Sequence, residues 1–438
     1  MTDVAKVAGR DKVAADVPDL LRRYGIWVGT ALVLAALPHV FDSGLSRTTM
    51  SLMGIMIVFA LSYNMLFGQT GLLSFGHAVY YGLGAFLVVH AMNTVARDAL
   101  PVPLLFMPLV GGIAGLVFGV IFGAVSTRTA GTAFAMISLG LGELVGSSAL
   151  ILRSFFGGEE GITTDRTKLF QLFNWSFGPQ IQVYYLIAIW CFISMVVMYA
   201  LTRTPFGRMC NAVRDNPERA QFIGYNTQIV RFIAFCLSGL FAGIAGALAA
   251  INFEIANSSY ISGGQSGLVL LAAYIGGVGN FAGPVIGAIL VTWLEAMLSD
   301  LTEVWQLYFG LLFIGMVMFA PQGIAGLIMM HEPLWQARAY GAMARLALTY
   351  LVALIPALVC LVGAILLIEM TYHVSVKASE GPAISLFHLT LDTTSVKSWL
   401  AAAVLAGGGF FLFRLTWPVV GAAWDDAFVQ ARDGRRAK

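Results

Sequence analysis

The feature that most constrains this chain is a series of long apolar runs separated by short polar segments. A helix of about 20 apolar residues crosses a bilayer, and in lipid it satisfies its own backbone hydrogen bonds. The alternating pattern of an outer-membrane barrel is absent. The chain is therefore predicted to be an all-α, polytopic transmembrane helix bundle. The predicted spans, twelve at most, are residues 24–41, 51–67, 74–92, 103–125, 131–152, 182–202, 231–252, 265–278, 282–298, 304–320, 347–368 and 398–416.

The composition also indicates an integral membrane protein. Hydrophobic residues make up 58% of the chain and charged residues 11%, against roughly 25% charged residues in soluble domains. The formal net charge of +2 is too close to zero to favour nucleic acid as a partner, so lipid is the expected surrounding. Glycine-rich pieces near 68–84 and 276–287 are expected to be broken or re-entrant rather than straight helices.

The distribution of basic residues predicts the orientation. With a cytoplasmic N-terminus, 18 of the 25 Lys and Arg residues fall in inside loops and tails, in the direction of the positive-inside rule. Both termini and the loop 203–231 are then cytoplasmic. Residues 1–23 are predicted to be an uncleaved cytoplasmic tail, because no clear small-residue cleavage site accompanies the first apolar run.

Several function classes lack their sequence signatures. The chain has no G-x-x-x-x-G-K-[ST] motif, so ATP hydrolysis by a P-loop is excluded. H-E-x-x-H, G-x-S-x-G and paired His and Cys motifs are also absent, and the four cysteines form neither a disulfide framework nor a zinc spacing. We therefore predict that the chain is not an enzyme, has no catalytic residues and binds no metal.

The polar island 203–231 lies between two apolar runs. It contains five arginines, and a single Arg at the centre of a membrane helix costs about 2.5 to 3.5 kcal/mol, so the island stays outside hydrocarbon. Its residues predict a short helix: Asp215 or Asn216 as N-cap, Pro217 and Glu218 in the first turn, and Gly224 at the end. A plain solvated loop is the alternative.

Glycines recur at four-residue spacing in several spans, where small residues let neighbouring helix backbones approach closely. We expect them to form helix-packing faces. These residues are Gly111, Gly115, Gly119 and Gly123, then Gly239 and Gly243, and finally Gly279, Gly283 and Gly287.

Polar residues inside the spans are candidates for a translocation path, because an uncompensated polar group in hydrocarbon is costly. Five of them surround the glycine-rich break near residue 70. They are Asn64, Gln69, Thr70, Ser74 and His77. Bonding to their own helix is the alternative for each. Glu143 and Glu295 are predicted to serve helix packing.

Five segments, in order along residues 45–330, carry a family resemblance. They are LSYNMLFGQTGLLSFGHAVYYGLGAF (61–86), RTAGTAFAMISLGLGEL (128–144), TPFGRMCNAVRDNPERAQFIGYN (204–226), GGVGNFAGPVIGAIL (276–290) and FAPQGIAGL (319–327). Together they resemble the LivM-type permeases of branched-chain amino acid ABC importers. The resemblance implies an importer permease of the BtuC/LivM-like type in the bacterial inner membrane.

The resemblance further implies partners. A periplasmic solute-binding protein would deliver the solute, a second, LivH-type permease subunit would complete the path, and two cytoplasmic ABC ATPase subunits would bind ATP and Mg, leaving this chain without a cofactor. The island would dock into the ATPase. The residues that acquire this coupling role are Phe206, Gly207, Arg208, Arg214, Asp215, Asn216, Glu218 and Gly224.

The resemblance gives a division of the chain. Residues 24–330 are the predicted permease domain, and 331–438 are an extension with two further predicted spans. The role of the extension and the identity of the solute stay open. A stand-alone channel or an ion-coupled secondary transporter is the alternative function, although the spans show no dense relay of charged residues.

Overall fold

The structure is a computed structural model. It describes residues 25–171, 175–336, 340–377, 379, 381–386 and 389–436. The predicted tail at 1–23 lies outside the described residues, as does Arg338 in the predicted inside linker. The helices are α1 (Gly25–Val40), α2 (Gly44–Thr70), α3 (Ala78–Arg97), α4 (Met107–Ser126), α5 (Gly131–Ile151), α6 (Arg153–Phe156), α7 (Gln180–Arg203), α8 (Pro205–Asp215), α9 (Pro217–Phe222), α10 (Thr227–Phe253), α11 (Gly263–Gly276), α12 (Ala282–Leu301), α13 (Trp305–Phe319), α14 (Gly323–Met330), α15 (Glu332–Gln336), α16 (Tyr340–Val376) and α17 (Val396–Arg436).

The strands are few and short. They are β1 (Ile162–Thr163), β2 (Ile255–Ala256), β3 (Ala383–Leu386) and β4 (Leu389–Asp392), and they form the antiparallel pairs β1–β2 and β3–β4. Short 3-10 turns lie at Leu104–Phe106, Arg166–Lys168 and Ser258–Ile261. The prediction of an all-α membrane protein is confirmed.

Nine helices in the described part of the chain are long and apolar enough to cross a membrane: α2, α3, α4 with its preceding turn, α5, α7, α10, α12, α16 and α17. A tenth candidate is the pair α13 and Gly323–Trp335, which meets at a bend of 41°. The predicted spans 24–41 and 265–278 correspond to α1 and the 14-residue α11, which are too short by this measure. Nine or ten spans among the described residues agree with the predicted upper limit of twelve.

The chain divides into two compact units. The first comprises the described residues up to Leu301 together with Leu311–Gly326, and the second comprises Thr302–Gly310 together with the described residues from Leu327 onward. This division differs from the predicted boundary at residue 330 because the segment Thr302–Gly310 makes its contacts with the later part of the chain.

Helices α2 and α10 form the centre of the first unit, where 78% of the most apolar stretch of each is buried. Helix α2 begins at Ser43, whose hydroxyl accepts a hydrogen bond from the Ser46 amide. It ends at Gly71, which has φ +72° and donates its amide to the carbonyls of Leu66 and Phe67. Glycine adopts this left-handed conformation without the steric cost of a side chain, so the chain can leave the helix abruptly.

Helices α3, α4 and α10 approach one another through glycine. A Cβ added to Gly243 of α10 would overlap the carbonyl oxygen of Gly111 in α4, and one added to Gly84 of α3 would overlap Gly243 itself. Gly115 and Gly239 face each other in the same way. Gly119 lies against Cys236, and Gly123 against the Phe235 ring. Close packing of this kind, together with interhelical hydrogen bonds, drives helix association in lipid, where no hydrophobic effect operates between helices.

Two of the three later glycines also lie at a helix contact. Gly283 faces the backbone of Gly276 and Gly277, and Gly287 faces the carbonyl of Ala272 in α11. Gly279 is the exception and corrects the packing prediction at that position. It lies in the turn between α11 and α12, and a side chain there would have open space around it.

The second unit is a long antiparallel hairpin of α16 and α17. Its helices meet at Gly363, which faces the backbone of Ala406, and at Gly409, which faces Cys360. Near the C-terminal end of α16 the buried Glu369 carboxylate accepts hydrogen bonds from Thr302 Oγ1 at 2.6 Å and Tyr308 OH at 2.8 Å. The segment Thr302–Gly310 is held to the extension by these bonds.

We expect Gly243→Val to destabilise the first unit, because the new side chain must push α10 away from α4. Overpacking a close contact costs about 1 to 3 kcal/mol. Thermal unfolding of the purified chain in detergent measures the effect. Gly146→Val in α5 is the matched control, since no atom lies within 4 Å of an added Cβ there. Equal unfolding temperatures for the two variants would contradict the packing role of Gly243.

Candidate functional site

The break between α2 and α3 is the first part of the candidate site. Residues 71–77 are not helical, and irregular backbone at membrane depth is tolerated only where protein or water satisfies its polar groups. Three helices supply those partners. Ser138 Oγ in α5 accepts the Phe75 amide at 3.0 Å, Ser266 Oγ in α11 accepts the Ala78 amide at 3.1 Å, and Tyr63 OH in α2 donates to the Ser74 carbonyl at 3.1 Å.

His77 ends the break and is fully buried. Its Nε2 lies 3.0 Å from Ser62 Oγ, and its ring stacks on Phe59 with centroids 5.4 Å apart. Ser62 Oγ also lies 2.7 Å from the Phe59 carbonyl, to which it donates. Because the Ser62 hydroxyl hydrogen is already used in that bond, its oxygen can only accept from His77, so the proton of the His77 ring is assigned to Nε2. Its Nδ1 has no partner among the described residues.

The five predicted path residues lie in the last two turns of α2 or in the break itself. Asn64, Thr70, Ser74 and His77 are buried, and Gln69 is half-buried. Thr70 bonds to the Leu66 carbonyl of its own helix, whereas Asn64 Oδ1 and Ser74 Oγ have no partner among the described residues. Their burial means that a solute could reach them only after the helices move. Their role in the path stays a prediction.

The polar island 203–231 forms two short helices, α8 and α9, where the sequence predicted one. Thr204 is the N-cap of α8, with its hydroxyl facing the Gly207 amide and Pro205 in the first turn. Asn216 is the N-cap of α9 and accepts the Arg219 amide at 2.9 Å, so the structure selects it over Asp215. Pro217 and Glu218 occupy the first turn, and Gly224 follows the helix with φ +93°. The signal for α8 was the Thr-Pro pair, a frequent helix start.

One face of the island packs on α10. Cys210 and Val213 of α8 and Ala220 of α9 are buried against Val230 and Ala234, with Phe206 partly buried beside them. Burial raises the pKa of the Cys210 thiol to about 12, so the thiol is uncharged at neutral pH. Gly207 is also buried, and a side chain there would overlap the carbonyls of Leu201 and Thr202.

Arg214 joins the island to the break. Its Nη1 donates to the carbonyl oxygen of Gly68, in the last turn of α2, and its Cγ packs against Gly71. Carbonyls in the last turn have no partner within the helix and carry its negative dipole end, so a guanidinium is a favourable partner. Asp215 Oδ1 lies 2.9 Å from Arg214 Nη2 and holds the same side chain.

The opposite side of the island is open. Arg208, Asp215, Asn216, Glu218 and Gly224 are exposed. Beyond them lies an apolar tip, defined as Phe222, Ile223 and Tyr225, whose side chains are 89%, 65% and 42% exposed. Sequence reasoning assigned no role to Phe222 and Ile223. An exposed apolar patch framed by charged groups is typical of a protein interface.

Other polar residues were missed or misplaced by sequence reasoning. Ser138 and Ser266, which satisfy the break, and Ser238, which donates to the Ser62 carbonyl at 2.6 Å, looked like ordinary span residues. Glu143 was predicted to pack between helices, but it is exposed on α5, with only the start of α11 close to its carboxylate among the described residues. Glu295 is half-buried on α12.

Arg166 is a further residue whose role the sequence did not reveal. Its guanidinium donates to the carbonyls of Phe177, Gly178 and Asn252 at 2.7, 3.2 and 3.0 Å. It thereby closes the C-terminal end of α10 and holds the loop that follows α6. Among the described residues, no group of three or more His, Cys, Asp or Glu side chains is placed to hold a metal ion.

Known permeases are similar to this chain over about three fifths of its length. The LivM permease of the high-affinity branched-chain amino acid transport system of Escherichia coli is 27% identical over an alignment of 294 positions that covers 62% of this chain and 67% of that protein. The BraD permease of Pseudomonas aeruginosa is 24% identical over 281 residues, covering 61% of this chain and 90% of that protein. The LivH permease of Salmonella typhimurium is 24% identical over 289 residues, with coverages of 61% and 90%.

The family model described as the permease component of the branched-chain amino acid transport system matches residues 47–321. This match covers more than half of the chain, and it includes the α2–α3 break, both island helices and the glycine contacts between α4 and α10. The chain therefore belongs to the family of branched-chain amino acid transport permease components.

Proposed function

We propose that this chain is the membrane-spanning permease subunit of an ABC importer that carries branched-chain amino acids or related small solutes across the inner membrane. The family match is the observation that carries this proposal. Its proposed partners are a LivH-type permease subunit, two cytoplasmic ABC ATPase subunits and a periplasmic binding protein. ATP and Mg bind to the ATPases, since this chain has no P-loop.

The island 203–231 is the proposed docking site for the ATPase, with both chain termini on the same cytoplasmic side. The nine spans of the described residues are an odd number, so this orientation requires α1 to cross the membrane as well. Its exposed polar residues and the apolar tip would contact the ATPase, while its buried face stays on α10. The sequence resemblance implies that Arg214 contacts the ATPase, but we assign it to the connection between the island and α2. Because it is bonded to the end of α2, it would pass the motion of the island to the break.

This arrangement supports a simple mechanism. When the ATPases close on ATP, they would pull the island as one body, since α8 and α9 are capped and packed on α10. The Arg214 bond would move the end of α2 with the island, and the break carrying Ser74 and His77 would follow. The chain's own residues thus convert a cytoplasmic movement into a change at the buried polar break.

Reconstitution into vesicles tests the function. We expect solute uptake only when the second permease, the binding protein and both ATPases are present with ATP and Mg. A non-hydrolysable ATP analogue is the control and should abolish uptake. Uptake by this chain alone, or uptake that follows an ion gradient without ATP, would instead support a channel or a secondary transporter.

The apolar tip gives a second prediction. We expect Phe222→Ser to weaken binding of the ATPase roughly tenfold, because exposed aromatic side chains often supply much of an interface's binding energy. Co-purification and titration of the ATPase against the detergent-solubilised permease pair measure the affinity. Phe106→Ser is the matched control, since Phe106 is an exposed aromatic residue at the turn before α4, which is predicted to lie on the opposite side of the membrane. Equal ATPase affinity for both variants would contradict docking at the tip.

Arg214 gives a third prediction. We expect Arg214→Met to reduce the number of solute molecules moved per ATP by about tenfold or more, since a hydrogen bond from a charged group contributes about 1.5 to 3 kcal/mol. ATPase binding should persist because the apolar tip is unchanged. Arg214→Lys should restore part of the coupling, as its ammonium can still donate to the Gly68 carbonyl. Normal coupling in Arg214→Met would contradict the link.

A further inference from the structure

Helix α5 is the least enclosed of the spanning helices in the first unit. Only 28% of its most apolar stretch is buried, against 78% for α2 and α10. One of its sides carries Met136, Gly140, Glu143 and Ser147, which recur at three- and four-residue spacing and are all exposed. Apart from Met136, these residues are small or polar, and all four are left exposed by the described part of this chain.

Glu143 lies near the middle of this span. It is twelve residues after Gly131 and eight before Ile151, which places it roughly 18 Å and 12 Å from the two helix ends at 1.5 Å per residue. No hydrogen bond or ion pair joins Glu143 to any described residue. A carboxylate at this depth is strongly disfavoured against lipid tails, so this side of α5 faces water or protein.

The immediate neighbour of Glu143 is also polar. A Cβ built on Gly263 would lie 3.9 Å from Glu143 Oε1, so the carboxylate stands beside the first residue of α11. Gly263 and Gly264 are exposed, and no atom lies within 4 Å of a Cβ built on Gly140. The 14-residue α11 is too short to cross the bilayer, and its Ser266 Oγ accepts the amide of Ala78, the first residue of α3.

We propose that Glu143 lines the solute path and contacts the ammonium group of an amino acid as it passes. A carboxylate attracts a cation, and every amino acid zwitterion carries an ammonium group whatever its side chain. This assignment rests on the proposed function, and it places the path along the open side of α5. The α2–α3 break packs against another side of α5, through the Phe75 amide and Ser138 Oγ, and would set the position of the path-lining side.

Thiol accessibility tests where residue 143 faces. In the assembled transporter in vesicles, we expect Glu143→Cys to react with a membrane-impermeant, cationic methanethiosulfonate at least tenfold faster than Leu144→Cys. Leu144 is the matched control, because it is the next residue of α5, is 60% exposed and points about 100° away. The unsubstituted protein, with its four free cysteines, gives the background. Reaction of Glu143→Cys only with a lipid-soluble maleimide would overturn the proposal.

Charge substitution tests the contact with the solute. We expect Glu143→Gln to lower the maximal uptake rate about tenfold at saturating binding protein, and Glu143→Asp to retain most of it. Co-purification of the second permease should be unchanged in both variants. Loss of that subunit in Glu143→Gln would show that Glu143 pairs with a partner side chain and would overturn the proposal, as would normal uptake. Failure of the unsubstituted complex to take up amino acids would count against the proposed function instead.

Discussion

The close approach of helix backbones through glycine is the constraint on which the rest of the structure depends. In lipid, apolar side chains gain nothing by leaving one apolar surface for another, so helices associate where small residues permit contact. Gly84 in α3, Gly111 and Gly115 in α4, and Gly239 and Gly243 in α10 provide that contact. The result is a tightly packed group of helices, to which α2 adds its long buried face and its serine hydrogen bonds.

The island helices α8 and α9 are attached to this glycine-packed group of helices. Their apolar face packs on α10, and Arg214 binds the carbonyl end of α2. Helix α5 is held more loosely, since most of its surface is uncovered and its contact with the break includes the Ser138 hydroxyl. A pull on the island would therefore shift the glycine-packed group relative to α5. The break and the open side of α5 are where such a shift would alter the surface that a solute meets.

Local signals explain which features could be predicted from the sequence. Helices α2 and α10 could be predicted because each is one continuous apolar run. The start of α9 could be predicted because its cap, Asn216, bonds to a residue only three positions away. Contacts between distant segments explain what was missed. The hydroxyls of Ser138 and Ser266 acquire their role only when α5 and α11 meet the break, and Arg214 acquires its role only beside Gly68. Gly279 follows the four-residue spacing yet lies in a turn, and Glu143 follows an apolar helix pattern yet faces outward.

The distance between the apolar tip and the end of α2 is the most direct test of this account. Spin labels at Ile223 and Gln69 report it in the assembled transporter by pulsed electron paramagnetic resonance, and labels at Ile223 and the exposed Thr132 report the distance from the tip to the start of α5. The account predicts that the first distance stays constant between the nucleotide-free and ATP-bound states while the second changes. A change in the distance between Ile223 and Gln69, with the distance to Thr132 constant, would contradict it.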